Sequence, residues 1–177
     1  MAVIEAIQTT YVETADVASV TFSSIPATYE HLQLRISAKD EQAGDYLEMT
    51  MQFGVGGVLQ TGSNYWSHRM YGYNTTAGAA GGYARAFVKL ESASGTTANT
   101  AQYGGIVVDI LDYVNPNKNT TIMSVGGTAQ AASTPWVAFS GGLWDGTGAI
   151  DTLGIGGYLH TNDLLRGTEI SLYGIQE

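Results

Sequence analysis

The side chains best suited to chemistry in this chain are its three histidines, His31, His68 and His160, and its scattered carboxylates. A zinc site or a general base needs partners at a recognisable spacing, and no H-x-x-x-H or comparable pattern surrounds any histidine. Each therefore reads as structural. His31 falls on the outward side of an alternating segment, and His68 alternates with Trp66 and Met70 in a way that predicts partial burial. Asp145 and Asp151, in Asp-Gly-Thr-Gly-Ala-Ile-Asp, could wrap a calcium ion, but the third acidic ligand and closing Glu of an EF-hand loop are missing. Asp109 with Asp112, and Asp40 with Glu41 and Asp45, are the other acidic groups. Carboxylates remote in sequence could still converge as a glycosidase pair, which spacing alone does not decide.

Serine lies in no G-x-S-x-G elbow, and neither a P-loop nor a dinucleotide G-x-G-x-x-G occurs. The absence of cysteine removes disulfides, thiolate nucleophiles, zinc ribbons and iron-sulfur clusters together. These residues predict no catalytic, metal or cofactor site, and binding or assembly in place of catalysis. The aromatic residues are more informative. Trp66, Trp136 and Trp144, with eleven Tyr, could pack a core, stack on a sugar or anchor a protein interface. In Tyr65-Trp66-Ser67-His68-Arg69-Met70-Tyr71, a strand would place Tyr65 and Trp66 on opposite faces, so one of them must point outward unless both faces are covered.

The elements that must position these residues are strands. In 30–38 the apolar set Leu32, Leu34, Ile36 and Ala38 alternates with His31, Gln33, Arg35 and Ser37, and 46–53 repeats the pattern with Leu47, Met49, Met51 and Phe53. The polar stretch 39–45 between them reads as a hairpin or a link between neighbouring strands. Further strands are expected near 5–12, 17–22, 85–91, 105–113, 119–125, 136–140, 149–155 and 169–174. The Gly/Ala-rich stretch 74–82 and the polar stretch 92–102 read as loops. No long amphipathic helix and no repeat of fixed period is present. About ten short strands at this spacing predict a single all-β domain over 1–177. An antiparallel two-sheet sandwich of the jelly-roll type is the expected fold, with residues 1–12 as an N-terminal arm or edge strand.

Composition narrows the partners. Of 177 residues only 13% are charged, about half the usual share, and 23 are Gly, suiting tight turns and a surface covered by partners. Seven Lys and Arg against sixteen Asp and Glu give a formal charge of −9, which repels nucleic acid and anionic membranes. No stretch approaches the roughly 18 apolar residues of a membrane span, and the start lacks the pattern of a secretory signal.

Four segments together resemble a family of small structural proteins of tailed bacteriophages, notably those of cyanobacteria and marine bacteria. They are Val20-Thr21-Phe22-Ser23-Ser24-Ile25-Pro26-Ala27-Thr28-Tyr29-Glu30-His31-Leu32-Gln33-Leu34-Arg35, Thr61-Gly62-Ser63-Asn64-Tyr65-Trp66-Ser67-His68, Asp112-Tyr113-Val114-Asn115-Pro116-Asn117-Lys118 and Ser171-Leu172-Tyr173-Gly174-Ile175. Their order extends over most of the chain, and the first is the most specific. The prolines also have a plain structural reading, since each ends a strand by supplying no amide donor.

The resemblance implies a virion component made in the host cytoplasm: a capsid decoration or cement protein on the outer capsid surface, bridging major capsid proteins. It further implies a homo-oligomer, with a trimer expected. An apolar N-terminal set, Val3, Ile4, Ile7 and Tyr11, is the expected interface. The competing expectation is a tail or fibre module that binds host-surface glycans through exposed aromatics.

Overall fold

The computed structural model describes residues 3–129 and 135–176. Its strands are β1 (Val3–Tyr11), β2 (Ser19–Phe22), β3 (His31–Ala38), β4 (Leu47–Val55), β5 (Val58–Leu59), β6 (Tyr65–Tyr73) and β7 (Thr76–Arg85). They continue as β8 (Val88–Ala93), β9 (Gly104–Leu111), β10 (Thr120–Thr128), β11 (Trp136–Trp144), β12 (Thr152–Gly156) and β13 (Glu169–Gln176). Eight form one sheet in the order β1-β13-β3-β9-β10-β11-β6-β7; the second sheet runs β2-β12-β4-β5, with β8 also paired to β4. Every strand pairing is antiparallel, and the sheets pack as a sandwich consistent with the expected jelly roll.

Period-two alternation explains the sandwich. In β3 the even positions Leu32, Leu34, Ile36 and Ala38 are buried, while Arg35 and Ser37 are exposed. They meet Met49, Met51 and Phe53 of β4 in one core with Ile106, Val108, Ile110 and Ile122. β4 is buried along almost its whole length because β8, β5 and β12 flank it. Tyr65 ties the layers together: its hydroxyl donates to the Gln60 carbonyl at 2.8 Å and accepts the Phe53 amide of β4 at 3.0 Å. Burial pushes that phenol up to about 12.

Two sequence expectations are corrected here. β3 and β4 are not hairpin partners, because the chain between them crosses from the large sheet to the small one. Asp40, fully buried in that crossover, accepts the Tyr158 amide at 2.6 Å and the Gln42 amide at 2.8 Å, so its polarity serves the connection. The stretch 74–82 is no loop. Most of it is strand β7, paired to β6 through 76–82, with Gly78 and Gly81 leaving room for the Tyr71 and His68 rings of β6 that lie over them. Gly and Ala carry no alternating hydrophobicity, so this strand had no period to read.

Candidate functional site

The residues singled out for chemistry are dispersed. His160 is half-buried and shares a 2.8 Å hydrogen bond with the Thr50 hydroxyl, and burial pushes its pKa below the ordinary value. His68 is exposed, not partly buried as its alternation suggested, because the face it shares with Trp66 and Met70 is the outer one. Asp145 accepts the Asn119 side-chain amide at 3.0 Å. Asp151 accepts the Gly57 amide at 3.0 Å, and that bond holds its carboxyl below the usual range. Among the described residues the two aspartates join no three-ligand cluster. The one such group is Glu30, His31 and Asp112. Within it the His31 Nδ1 accepts the Asp112 amide at 3.1 Å, which places the ring proton on Nε2 and leaves the neutral imidazole no free lone pair. Lys118 already pairs with the Asp112 carboxylate.

Two of the segments that carry the resemblance, 20–35 and 112–118, pack against one another at this same end. The Tyr113 hydroxyl donates to the Pro26 carbonyl, the Ile25 amide to Asp151 at 2.9 Å, and His31 lies beside Asp112. These are structural ties, and they account for those two motifs without invoking a site.

A second pair of carboxylates, Glu48 and Glu91, lines a small space between the sheets. Glu48 pairs with both Arg69 and Lys89, while Glu91, almost fully buried, accepts the Ser140 hydroxyl at 2.6 Å. Burial pushes the Glu91 carboxyl up, against the Ser140 hydrogen bond and the Arg69 charge. A carboxylate paired with two cations beside a buried one whose pKa is raised is an arrangement that can serve acid-base catalysis. The space they line, however, is only about 30 Å³, room for a water or two and not for a substrate. The cluster continues into an aromatic stack. Trp136, buried, stacks on Tyr46 at 3.9 Å and on Tyr71 at 4.5 Å between ring centroids, with the Arg69 guanidinium 5.3 Å from its ring. The stack fastens β11 and β6 to the segment that enters β4. Trp144 is buried too, so of the three indoles only Trp66 reaches the surface.

What remains is the outer face of the large sheet. Cross-strand register aligns Arg35, Val107, Val125, Phe139, Met70 and Ala79 in one row over β3, β9, β10, β11, β6 and β7. The row beside it holds Gln33, Asp109, Met123, Gly141, His68 and Gly81, and another holds Gly105, Gly127, Val137, Gly72 and Ala77. Met70, Met123, Val125, Val137 and Phe139 are 61%, 41%, 49%, 58% and 46% exposed, a contiguous apolar field over β9, β10, β11, β6 and β7 with Asp109 as the acidic group in these rows and Arg35 at its β3 margin. With a fourth row, Leu111, Thr121, Leu143 and Trp66, the field spans about 19 by 20 Å, the size of the core of a protein interface. At one margin, Trp66, Leu143, Thr121 and the 78% exposed Tyr83 wall a shallow groove of about 760 Å³ over Gly141 and Gly81.

Of the expected interface residues, Val3, Ile4 and Tyr11 are exposed on β1 at the far edge, whereas Ile7 packs onto the core. The large outer field was missed because its strands are apolar on both faces. In β10, Ile122 points inward while Met123 and Val125 point outward, which blunts the alternation that marks a surface strand. That blunting was itself the available signal. No family model, curated protein or solved structure matches the chain.

Proposed function

We propose that this chain is a structural component of a phage virion, a decoration or cement protein that stabilises the head by bridging major capsid proteins on the outer capsid surface. The observation that carries the reading is the outer field of Met70, Met123, Val125, Val137 and Phe139 on a chain of net charge −9. An exposed apolar surface of this extent is costly to leave in water unless a partner covers it. The four-segment resemblance supplies the class of partner. Many modest contacts repeated over a lattice hold such a protein without high affinity at any one site.

The test uses particles made from a genome lacking this gene. They are expected to rupture at lower temperature than complete particles, and added purified protein is expected to restore them. Particles of unchanged stability that fail to take up the protein would overturn the reading.

The groove beside Trp66 favours a second reading, a host-glycan module, because an exposed Tyr83 and the edge of Trp66 could clamp a sugar ring over bare glycine backbone. Glycan-array binding that Trp66→Ala abolishes would support it; a blank array would remove it.

A further inference from the structure

The large sheet ends in two long free edges, and they are built differently. β1 carries the exposed Glu5 at mid-strand and a bulge between Ala6 and Gln8, both devices that discourage strand pairing. β7 carries neither over most of its ten residues: from Thr76 to Ala84 it has no charge and no proline, its register shift falls only at the Arg85 end, and its residues are largely exposed. Among the described residues, its backbone hydrogen-bonds to β6 alone. Such an edge presents a row of unpaired N–H and C=O groups about 34 Å long.

We propose that β7 pairs antiparallel with β7 of a second copy across a twofold axis, joining two large sheets into one. A strand is the occupant because only a strand matches alternating donors and acceptors at this spacing. The second copy follows from three features. First, Gly78, Ala79, Ala80, Gly81 and Gly82 carry no side chain larger than a methyl, so the edge itself has little with which to select the side chains of a foreign sequence. An equally flat strand is the complementary shape. Registered about Ala80, a twofold sets Gly78 against Gly82 and Ala79 against Gly81, with Arg85 beyond the central pairs. Second, two chains of charge −9 repel over most of their surfaces, and this edge is where no acidic group opposes contact. Third, the outer apolar rows run out to Ala77 and Ala79, so pairing here fuses two fields into one surface. A ten-residue antiparallel ladder supplies about ten hydrogen bonds, as many as a typical interface.

The glycines alone have another cause, since the Tyr71 and His68 rings require Gly78 and Gly81. Ala77, Ala79 and Ala80 have no such constraint, and they keep the edge flat. A twofold joint links copies in pairs and is independent of the capsid role.

The absence of native cysteine makes the test direct. Single cysteines are placed at Ala77, Ala79, Ala80, Gly82 and Tyr83, with Thr9→Cys on β1 as control, and the full-length protein is oxidised with glutathione disulfide. The proposal expects a dimer in sedimentation equilibrium. It expects one position on the axis to crosslink roughly a hundredfold faster than the control, because pairing raises the effective concentration from about 10 micromolar to about 1 millimolar. Ala79→Lys and Ala80→Lys, checked for folding by circular dichroism, are expected to return the protein to monomer. A monomer at high concentration with a flat cysteine scan would overturn the proposal, leaving the edge for another protein's strand. Crosslinking of β7 to β1 in the Ala80→Cys, Thr9→Cys double variant would overturn it in favour of a head-to-tail ring.

Discussion

Replacing Val125 with Lys separates the outer field's part in assembly from its part in folding. Val125 sits at the centre of the field, between Val107 and Phe139 in register, and is 49% exposed. In the free protein the lysine stem can lie over Phe139 with its ammonium in water, so the fold should lose no more than about 0.5 kcal/mol. In an interface the change removes about half of a valine's burial, about 1 kcal/mol. It also buries an unpaired ammonium at a cost of about 2–5 kcal/mol. The sum is at least about 3 kcal/mol, or about a hundredfold in affinity for each contact. The assay pairs thermal unfolding with cosedimentation on particles that lack the protein, and Thr21→Lys, on exposed β2 of the other sheet, is the control. A melting point within about 2 °C of the parent, with binding lost only in Val125→Lys, is the expected result. Undiminished binding by a folded Val125→Lys protein would refute the reasoning.

Trp136→Ala should cost about 3–5 kcal/mol, since it removes the ring on which Tyr46 and Tyr71 stack; chemical denaturation measures it. Tyr65→Phe keeps the ring but leaves the Gln60 carbonyl and the Phe53 amide without their partner, a loss of about 1–3 kcal/mol by the same measurement. Burial raises the Glu91 pKa in the fold, so this carboxyl takes up protons on folding. Its contribution is therefore greatest below the ordinary glutamate value, and stability falls as pH rises through that value to the raised one. Glu91→Gln should remove this decline, and the difference between parent and variant, followed upward in pH from the ordinary glutamate value, isolates it. A variant that tracks the parent at every pH would show that Glu91 ionises freely.

Much of the fold was legible because period two is a local signal. The inward sets of β3 and β4 followed from alternation, whereas which of Tyr65 and Trp66 turns outward, and the burial of Trp136, did not. Pairing was less legible. Nothing in 39–45 distinguishes a hairpin from a crossover until Asp40 is seen buried against the Tyr158 amide. β7 was invisible to a pattern built on large apolar side chains, though its small residues are what leave the edge open. The exposed field escaped for the converse reason, since Val125, Val137 and Phe139 look like core residues to any rule that puts hydrophobic groups inside. The sharing of Met70 and His68 on one outward face became evident only once the β6–β11 register was known.

Location in the assembled particle tests the central claim most directly. Cryo-electron microscopy of particles produced by the genome that encodes this chain should show its sandwich on the outside of the shell. The field of Val125, Val137 and Phe139 should be turned onto neighbouring capsid subunits. Density for the chain confined to the tail, or a shell-bound copy with that field facing solvent, would contradict the account.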